Sequence, residues 1–231
     1  MSLSRATRQR AAARRIRRRR GIRLISIAVV CVVAVVIAGI LVLASWRSAE
    51  EHRLAVEGTE ELGFSVGDPD APVLMEEFSD YSCEFCAEFA ETSHQLIETY
   101  TGDGTLRVIH MPTSFLNLPN SEVGASAAIC ADQQGGYWEM YDALFELHRN
   151  ESPTAYTTAR MVEIANTLGL DQESFEICLS SPGTASLLAS INEVARARDV
   201  TGTPTIFING ERVDPQNRSF EAISQLIEPL R

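Results

Sequence analysis

Lysine is absent from this 231-residue chain. Arginine therefore supplies every fixed cation, which we read as genomic composition bias and not as mechanism. Basic residues are also scarce where a nucleic-acid surface would need them. Residues 48–231 hold 9 arginines against all 31 acidic residues, a balance of 9 − 31 = −22. That body lacks the basic stripe that grips phosphate backbones, so no nucleic-acid partner is expected. No internal repeat occurs, and nothing is of low complexity apart from the arginine-rich N-terminus. His52, His94, His110 and His148 show no metal-ligand spacing. No second close ligand pair accompanies the single close pair of cysteines, so no metal site is expected.

What is present begins with an asymmetric N-terminus. Residues 1–23 carry ten arginines and no acid, and they read as a basic cytoplasmic tail. Residues 24–46 are an uncharged, predominantly apolar run. At 1.5 Å per residue this run reaches roughly 35 Å, enough to cross a bilayer core as one transmembrane helix. Arginines crowd its amino side, so the positive-inside rule keeps the N-terminus cytoplasmic and exports the rest, a single-pass cell-membrane topology. A cleaved signal peptide is the competing reading, because Val42-Leu43-Ala44 fits a small-residue cleavage pattern. The run is, however, longer than the roughly 7–15 residues of a signal-peptide core. Residues 47–63 are acidic and aperiodic, and read as a tether.

Export governs the reading of the cysteines. Cys31 lies inside the apolar run and reads as a small apolar filler. Cys83, Cys86, Cys130 and Cys178 remain, and in an oxidising compartment four cysteines read as two bridges. Three pairings are conceivable. The Cys83-Glu84-Phe85-Cys86 spacing lets two sulfurs meet across the first turn of a helix, which leaves a Cys130–Cys178 bridge. Two free buried thiols are the alternative for that second pair. For the first pair the alternatives are an inert disulfide or half of a zinc site.

Along residues 64–231, apolar periodicity and turn signals give an order of elements. Val73–Phe78 reads as a strand, Cys83–Tyr100 as a helix with Phe85, Phe89, Leu96, Ile97 and Tyr100 on one face, and Leu106–Met111 as a strand. Five helical segments follow between Ser121 and Arg198, broken at Gly135-Gly136, Ser152-Pro153, Gly169 and Ser181-Pro182. Thr205–Ile208 reads as a strand, Asn209-Gly210 as a tight hairpin, and Ser219–Ile227 as a closing helix. This is an α/β arrangement with a helical insertion at about 115–198. Glu76 and Glu77 are adjacent on the first strand and point to opposite faces; Glu76 is expected to be solvated.

At this point the motifs add up. Phe78-Ser79-Asp80-Tyr81-Ser82-Cys83-Glu84-Phe85-Cys86 resembles the active-site segment of the DsbA-like thiol-disulfide oxidoreductases of the thioredoxin superfamily, particularly membrane-tethered bacterial ones. Ala127-Ala128-Ile129-Cys130-Ala131 with Gln134-Gly135-Gly136-Tyr137-Trp138 resembles the start of their helical insert. Gly202-Thr203-Pro204-Thr205 with Phe207-Ile208-Asn209-Gly210 resembles their cis-proline strand. The resemblance implies a thioredoxin fold with an inserted helical domain and a redox-active Cys83–Cys86 disulfide needing no other cofactor. Cys83, at a helix start where free N–H groups favour a thiolate, is the expected nucleophile, and the more buried Cys86 the resolving thiol. A cis Pro204 would present the Thr203 backbone to an extended client segment, with the Thr203 hydroxyl near the sulfurs. Glu77 takes the place of a buried acid that could accept the proton of Cys86.

One feature departs from the family pattern. Glu84 stands where Pro is common between the cysteines, with Asp80 and Glu88 nearby. At ~6 Å and an effective dielectric of ~60 it costs the thiolate about 1 kcal/mol, which weakens any expectation of strong oxidising power. The expected partners are secreted or membrane protein clients with free thiols, and a quinone-linked membrane thiol oxidase. Rival readings are a disulfide reductase or isomerase, and a non-catalytic thioredoxin-fold binding adaptor.

Overall fold

The computed structural model describes residues 62–231 except 117 and 119, together with positions 33, 36, 37, 39 and 40, which are helical. The basic tail, nearly all of the apolar run and the tether assigned above lie outside the described residues. Among the described residues no helix is long and apolar enough to cross a membrane.

Five strands form one mixed sheet. They are β1 (Phe64–Val66), β2 (Val73–Ser79), β3 (Leu106–Pro112), β4 (Thr205–Ile208) and β5 (Glu211–Arg212), in spatial order β1-β3-β2-β4-β5. β2 and β3 are parallel, and the other pairings are antiparallel. The parallel pair needs a crossover, which α1 (Glu84–Tyr100) supplies. On α1 the buried residues Cys86, Phe89, Ala90, Ser93, Leu96 and Tyr100 recur at three- and four-residue steps, the signature of one helical face. β1 has no counterpart in the sequence reading. Three residues bounded by glycines carry too little alternation to register, and pairing with β3 makes Phe64–Val66 a strand. At Asn209-Gly210 both residues have positive φ, 45° and 80°, as a tight β4–β5 hairpin requires.

The helical block comprises α2 (Ser121–Asp132), α3 (Tyr137–Glu151), α4 (Thr158–Thr167), α5 (Gln172–Leu179) and α6 (Pro182–Ala197); α7 (Phe220–Ile227) follows the hairpin. Side chains cap several of these helices. Thr157 accepts from Arg160 N, Asp171 from Ser174 N, Ser181 from Gly183 N and Ser219 from Ala222 N. Pro182 sits in the first turn of α6, where its missing N–H costs nothing.

The sheet has a core on each face. Val73, Met75, Ile206 and Ile208 pack with Phe89 and Leu96 of α1 and Ile223 and Ile227 of α7. Phe78, Ile109, Met111 and Phe207 pack instead with the helical block. The second core corrects one expectation. Glu76 is completely buried, not solvated, because the helical block covers its face. Arg198, just past the end of α6, meets it with two hydrogen bonds of 2.6 and 3.0 Å. The same guanidinium lies 4.1 Å from the centre of the Phe207 ring. A buried carboxylate needs such a partner, since an unpaired one would cost several kcal/mol.

Candidate active site

Cys83 is the N-cap of α1, with extended backbone angles of φ −93° and ψ 123°. Its carbonyl accepts from Cys86 N and Ala87 N, both at 3.1 Å, which starts the helix. Both Cys83 and Cys86 are free thiols, so this is the dithiol state. Cys83 keeps 9 % of its surface and Cys86 none.

The Thr203–Pro204 peptide is cis. The Thr203 carbonyl accepts a hydrogen bond from Cys83 Sγ at 3.4 Å, bringing together residues 120 apart in the chain. Arg218 Nη1 holds the Pro204 carbonyl at 2.9 Å. The segments around both motifs therefore meet at one end of the sheet, where β2 leaves it and β4 enters.

The two thiols differ in acidity. Cys83 is lowered from 9.0 to about 5, chiefly by the hydrogen bond from Cys86; burial opposes this, and Thr203 and the backbone N–H groups of Cys86 and Phe85 support it. Burial pushes Cys86 up well above 9.0, and its bond to the Cys83 sulfur adds to that. The hydrogen bond from Cys86, with the backbone N–H groups at the start of α1 adding to it, is what favours the Cys83 thiolate. Phe85, expected on the buried face of α1, is 62 % exposed. It lies in the first turn, beside the Pro215–Ser219 segment and solvent instead of the sheet. On the other side of the cysteines an open cleft of ≈ 800 Å³ is lined by Ser82, Glu84, Glu88, His148, Arg149 and Glu151.

Glu77 is completely buried, and burial raises its carboxyl from 4.5 to about 7 against hydrogen bonds that lower it. Those bonds come from Ser93 Oγ at 2.7 Å and the Tyr141 hydroxyl at 3.2 Å. His110 Nε2 lies 3.9 Å away. Burial lowers His110 to about 3, so the imidazole is neutral, and its Nδ1 is 2.5 Å from the Tyr137 hydroxyl.

The carboxylate touching the cysteine turn itself is Asp80, which the sequence reading noted only as a nearby charge. Asp80 accepts from Ser82 N at 2.8 Å and from Ser121 Oγ at 2.6 Å to each oxygen. The carbonyl of the next residue, Tyr81, accepts from His148 Nδ1 at 2.8 Å and from the Tyr156 hydroxyl at 3.0 Å. Gly124 on α2 admits this packing, because a Cβ there would lie 3.1 Å from Tyr81 and 3.3 Å from Tyr156. The helical block thus grips the turn from behind. An Asp two residues before a backbone N–H is an Asx-turn signal; nothing local pointed to Ser121, His148 or Tyr156.

Cys130 and Cys178 are joined by a disulfide that ties α2 to α5. The Thr184 hydroxyl lies 3.3 Å from Cys178 Sγ and donates to the Cys178 carbonyl at 2.8 Å. Among the described residues no cluster of His, Cys, Asp and Glu could hold a metal ion.

Residues 59–229 match the family described as Thioredoxin. The chain belongs to the thioredoxin family. Within it, the DsbA-like character indicated by the motifs agrees with its relatives. It is 26% identical over 173 residues to a probable disulfide bond formation protein D of Bacillus anthracis, covering 71% of this chain and 76% of that one. It is 32% identical over 148 residues to a Na(+)/H(+) antiporter NhaA 3 of Salinispora tropica, covering 63% of this chain. That match takes in 21% of the antiporter, so the chain spans about a fifth of the antiporter's length. Among solved structures, BdbD from Bacillus subtilis in its oxidised form aligns with a TM-score of 0.64 at 20% identity, covering 74% of this chain and 93% of BdbD. MdbA, a thiol-disulfide oxidoreductase from Actinomyces oris, aligns with a TM-score of 0.63 at 21% identity, covering 73% and 85%. These two likenesses concern the fold.

Proposed function

We propose that this thioredoxin-family protein is an extracytoplasmic thiol-disulfide oxidoreductase that oxidises client cysteines to disulfides. The observation that carries this reading is the position of Cys83, at the tip of α1 with its sulfur 3.4 Å from the Thr203 carbonyl. A thiolate stabilised at that tip by the hydrogen bond from Cys86 and the backbone N–H groups of Cys86 and Phe85 favours the dithiol form over the disulfide. The disulfide form is correspondingly a good oxidant.

The exchange runs as two displacements. A client thiolate attacks Cys83 Sγ of the Cys83–Cys86 disulfide. The sulfur–sulfur bond breaks, and its electron pair leaves on Cys86, which takes up a proton. The second client thiolate then attacks the client sulfur of the mixed disulfide and releases the Cys83 thiolate. The client is oxidised by two electrons and the protein is left as a dithiol. Resetting it requires an external oxidant, for which a quinone-linked membrane thiol oxidase is the proposed partner. The exposed Phe85 and the backbone at Thr203 and Pro204 are the proposed client contacts. Glu77, which changes charge near neutral pH, is the proposed store for the Cys86 proton. The Cys130–Cys178 bond is the proposed staple of the helical block. The basic tail, single transmembrane helix and exported domain are the proposed topology.

The test is the equilibrium of the purified full-length protein with reduced and oxidised glutathione, together with oxidation of a dithiol peptide. A dithiol form favoured over glutathione, with rapid peptide oxidation, supports the oxidase. A disulfide as hard to reduce as that of thioredoxin points to a reductase instead. Full function of a Cys86→Ser variant points to a binding adaptor.

A further inference from the structure

We propose that Asp80 is a positioning residue for thiol–disulfide exchange: its carboxylate fastens the cysteine turn to the helical block, and its charge sets how readily the Cys83–Cys86 disulfide is reduced. The inference deepens the oxidoreductase reading and rests on it.

Asp80 is completely buried, and its polar groups are engaged around the two cysteines. Its N–H donates to Cys86 Sγ at 3.4 Å, and its carbonyl accepts from Cys83 N at 2.9 Å. One carboxylate oxygen accepts from Ser82 N, and Ser121 Oγ lies 2.6 Å from both oxygens. A single hydroxyl proton serves that pair, so the carboxylate is held to the first residue of α2 by one shared hydrogen. The residue bound to the helical block thus also touches Cys86 Sγ and the Cys83 backbone.

The contrast with Glu76 shows that the charge has a purpose beyond anchoring. Glu76 is equally buried, and Arg198 neutralises it in bidentate contact. Among the described residues, the groups hydrogen-bonded to the Asp80 carboxylate are an amide and a hydroxyl, both uncharged. An amide side chain would make comparable bonds without the cost of burying an acid to which no cation is hydrogen-bonded. Beside a nucleophile such a charge has a direct effect: it repels the Cys83 thiolate.

The groups facing Asp80 come from several elements. Cys83 and Cys86 lie at the start of α1; the Cys83 thiolate opposes the charge of Asp80, while Cys86 is a neutral thiol. From α3, His148 attracts the carboxylate while its Nδ1 holds the Tyr81 carbonyl. Tyr156, after α3, is repelled in its ionised form by Asp80 and bonds the Tyr81 and Leu144 carbonyls. The Asp80 carboxyl is raised to about 6; burial is the largest influence, the hydrogen bonds from Ser121 and Ser82 oppose it, and the Cys83 thiolate adds to it. The repulsion is reciprocal. Asp80 carries most of its charge at neutral pH and makes the Cys83 thiolate less favourable than the helix terminus alone would.

Glutathione reads out this effect. Two glutathione thiols reduce the Cys83–Cys86 disulfide to the dithiol and leave as one oxidised glutathione, two electrons passing to the protein. The product carries the Cys83 thiolate next to Asp80. Asp80→Asn preserves the shape and the hydrogen bonds and removes the charge. At pH 7, where Asp80 is ionised beside the Cys83 thiolate, this substitution is expected to shift the glutathione equilibrium about tenfold towards the dithiol, a shift that fades as pH falls through about 6 and the wild-type carboxyl protonates. A folded Asp80→Asn protein with the wild-type equilibrium at pH 7 overturns the proposal. If that variant does not fold, Ser121→Ala decides. Losing the hydroxyl makes the carboxyl easier to protonate, so the equilibrium at pH 7 should again move towards the dithiol, and an unmoved equilibrium overturns the proposal. A wild-type protein that does not exchange with glutathione removes the oxidoreductase reading, and this inference falls with it.

Discussion

Two cysteine pairs in one chain have opposite settings. Cys83 and Cys86 are two residues apart at a helix tip, with one sulfur reaching the Thr203 carbonyl and the other enclosed. Cys130 and Cys178 are separated by 48 positions and sit in the middle of the helical block, bonded to each other. The short pair closes almost no loop, so its bond constrains the unfolded chain little, and its chemistry is governed by how well the site holds a thiolate. The long pair closes a large loop, and both its sulfurs are enclosed in the helical block. Loop size and local field, more than the bond itself, decide whether a disulfide works as a switch or a staple.

The comparison is most easily broken by exchanging the roles. Cys83→Ala should reduce dithiol-peptide oxidation to the uncatalysed background, whereas the Cys130→Ala/Cys178→Ala double variant should retain it. Loss of oxidation in both, with both proteins folded, would show that the second pair takes part in the chemistry. The double variant should instead lose stability, by roughly 3–4 kcal/mol in denaturant titrations, from the entropy that the bridged loop removes from the unfolded chain.

A third outcome concerns the sealed carboxyl between the two regions. Below pH 4.5 Glu77 is protonated in both the folded and the unfolded chain. Between there and about 7 it ionises in the unfolded chain first. Stability contributed by the buried neutral acid is therefore present at low pH and lost as pH rises through about 7, by about 3 kcal/mol in all. Glu77→Gln should flatten that part of the stability-against-pH curve, and an unchanged slope would contradict the burial assigned to this carboxyl.

A subtler difference lies within the short pair. Alkylation of the reduced protein should titrate with a midpoint near pH 5 and label Cys83, leaving Cys86 protected, since the two thiols are shifted in opposite directions. Equal labelling would remove the asymmetry on which the direction of attack depends. The smallest effect is expected from Glu84→Gln. Removing this exposed charge should move the Cys83 midpoint down by less than a tenfold change in acidity, because water screens the interaction.

Much of the architecture could be read locally. The strands β2, β3 and β4, the helix behind Cys83 and the breaks between the inserted helices follow from apolar periodicity, glycines and prolines that act within a few residues. The sites of error were different in kind. Glu76 read as solvated because a strand's outward face is normally wet, and only the helical block, bringing Arg198 from 122 positions away, makes it an interior acid. Phe85 read as core because its spacing matches Phe89 and Leu96, yet the helix tip leaves it exposed. β1 was invisible because three residues gain strand character only from a partner.

Adjacent residues already dictate that two thiols share a helix start, that a Gly-Thr-Pro opens a strand and that a helical block separates them, since spacing and turn chemistry act within a few positions. Only the tertiary structure decided that the Thr203 carbonyl lies against Cys83, that Ser121 clasps Asp80, and which of two neighbouring glutamates finds a cation. Those outcomes depend on which distant surfaces pack together, and burial, which changes the cost of every charge it covers, exists only once they have met.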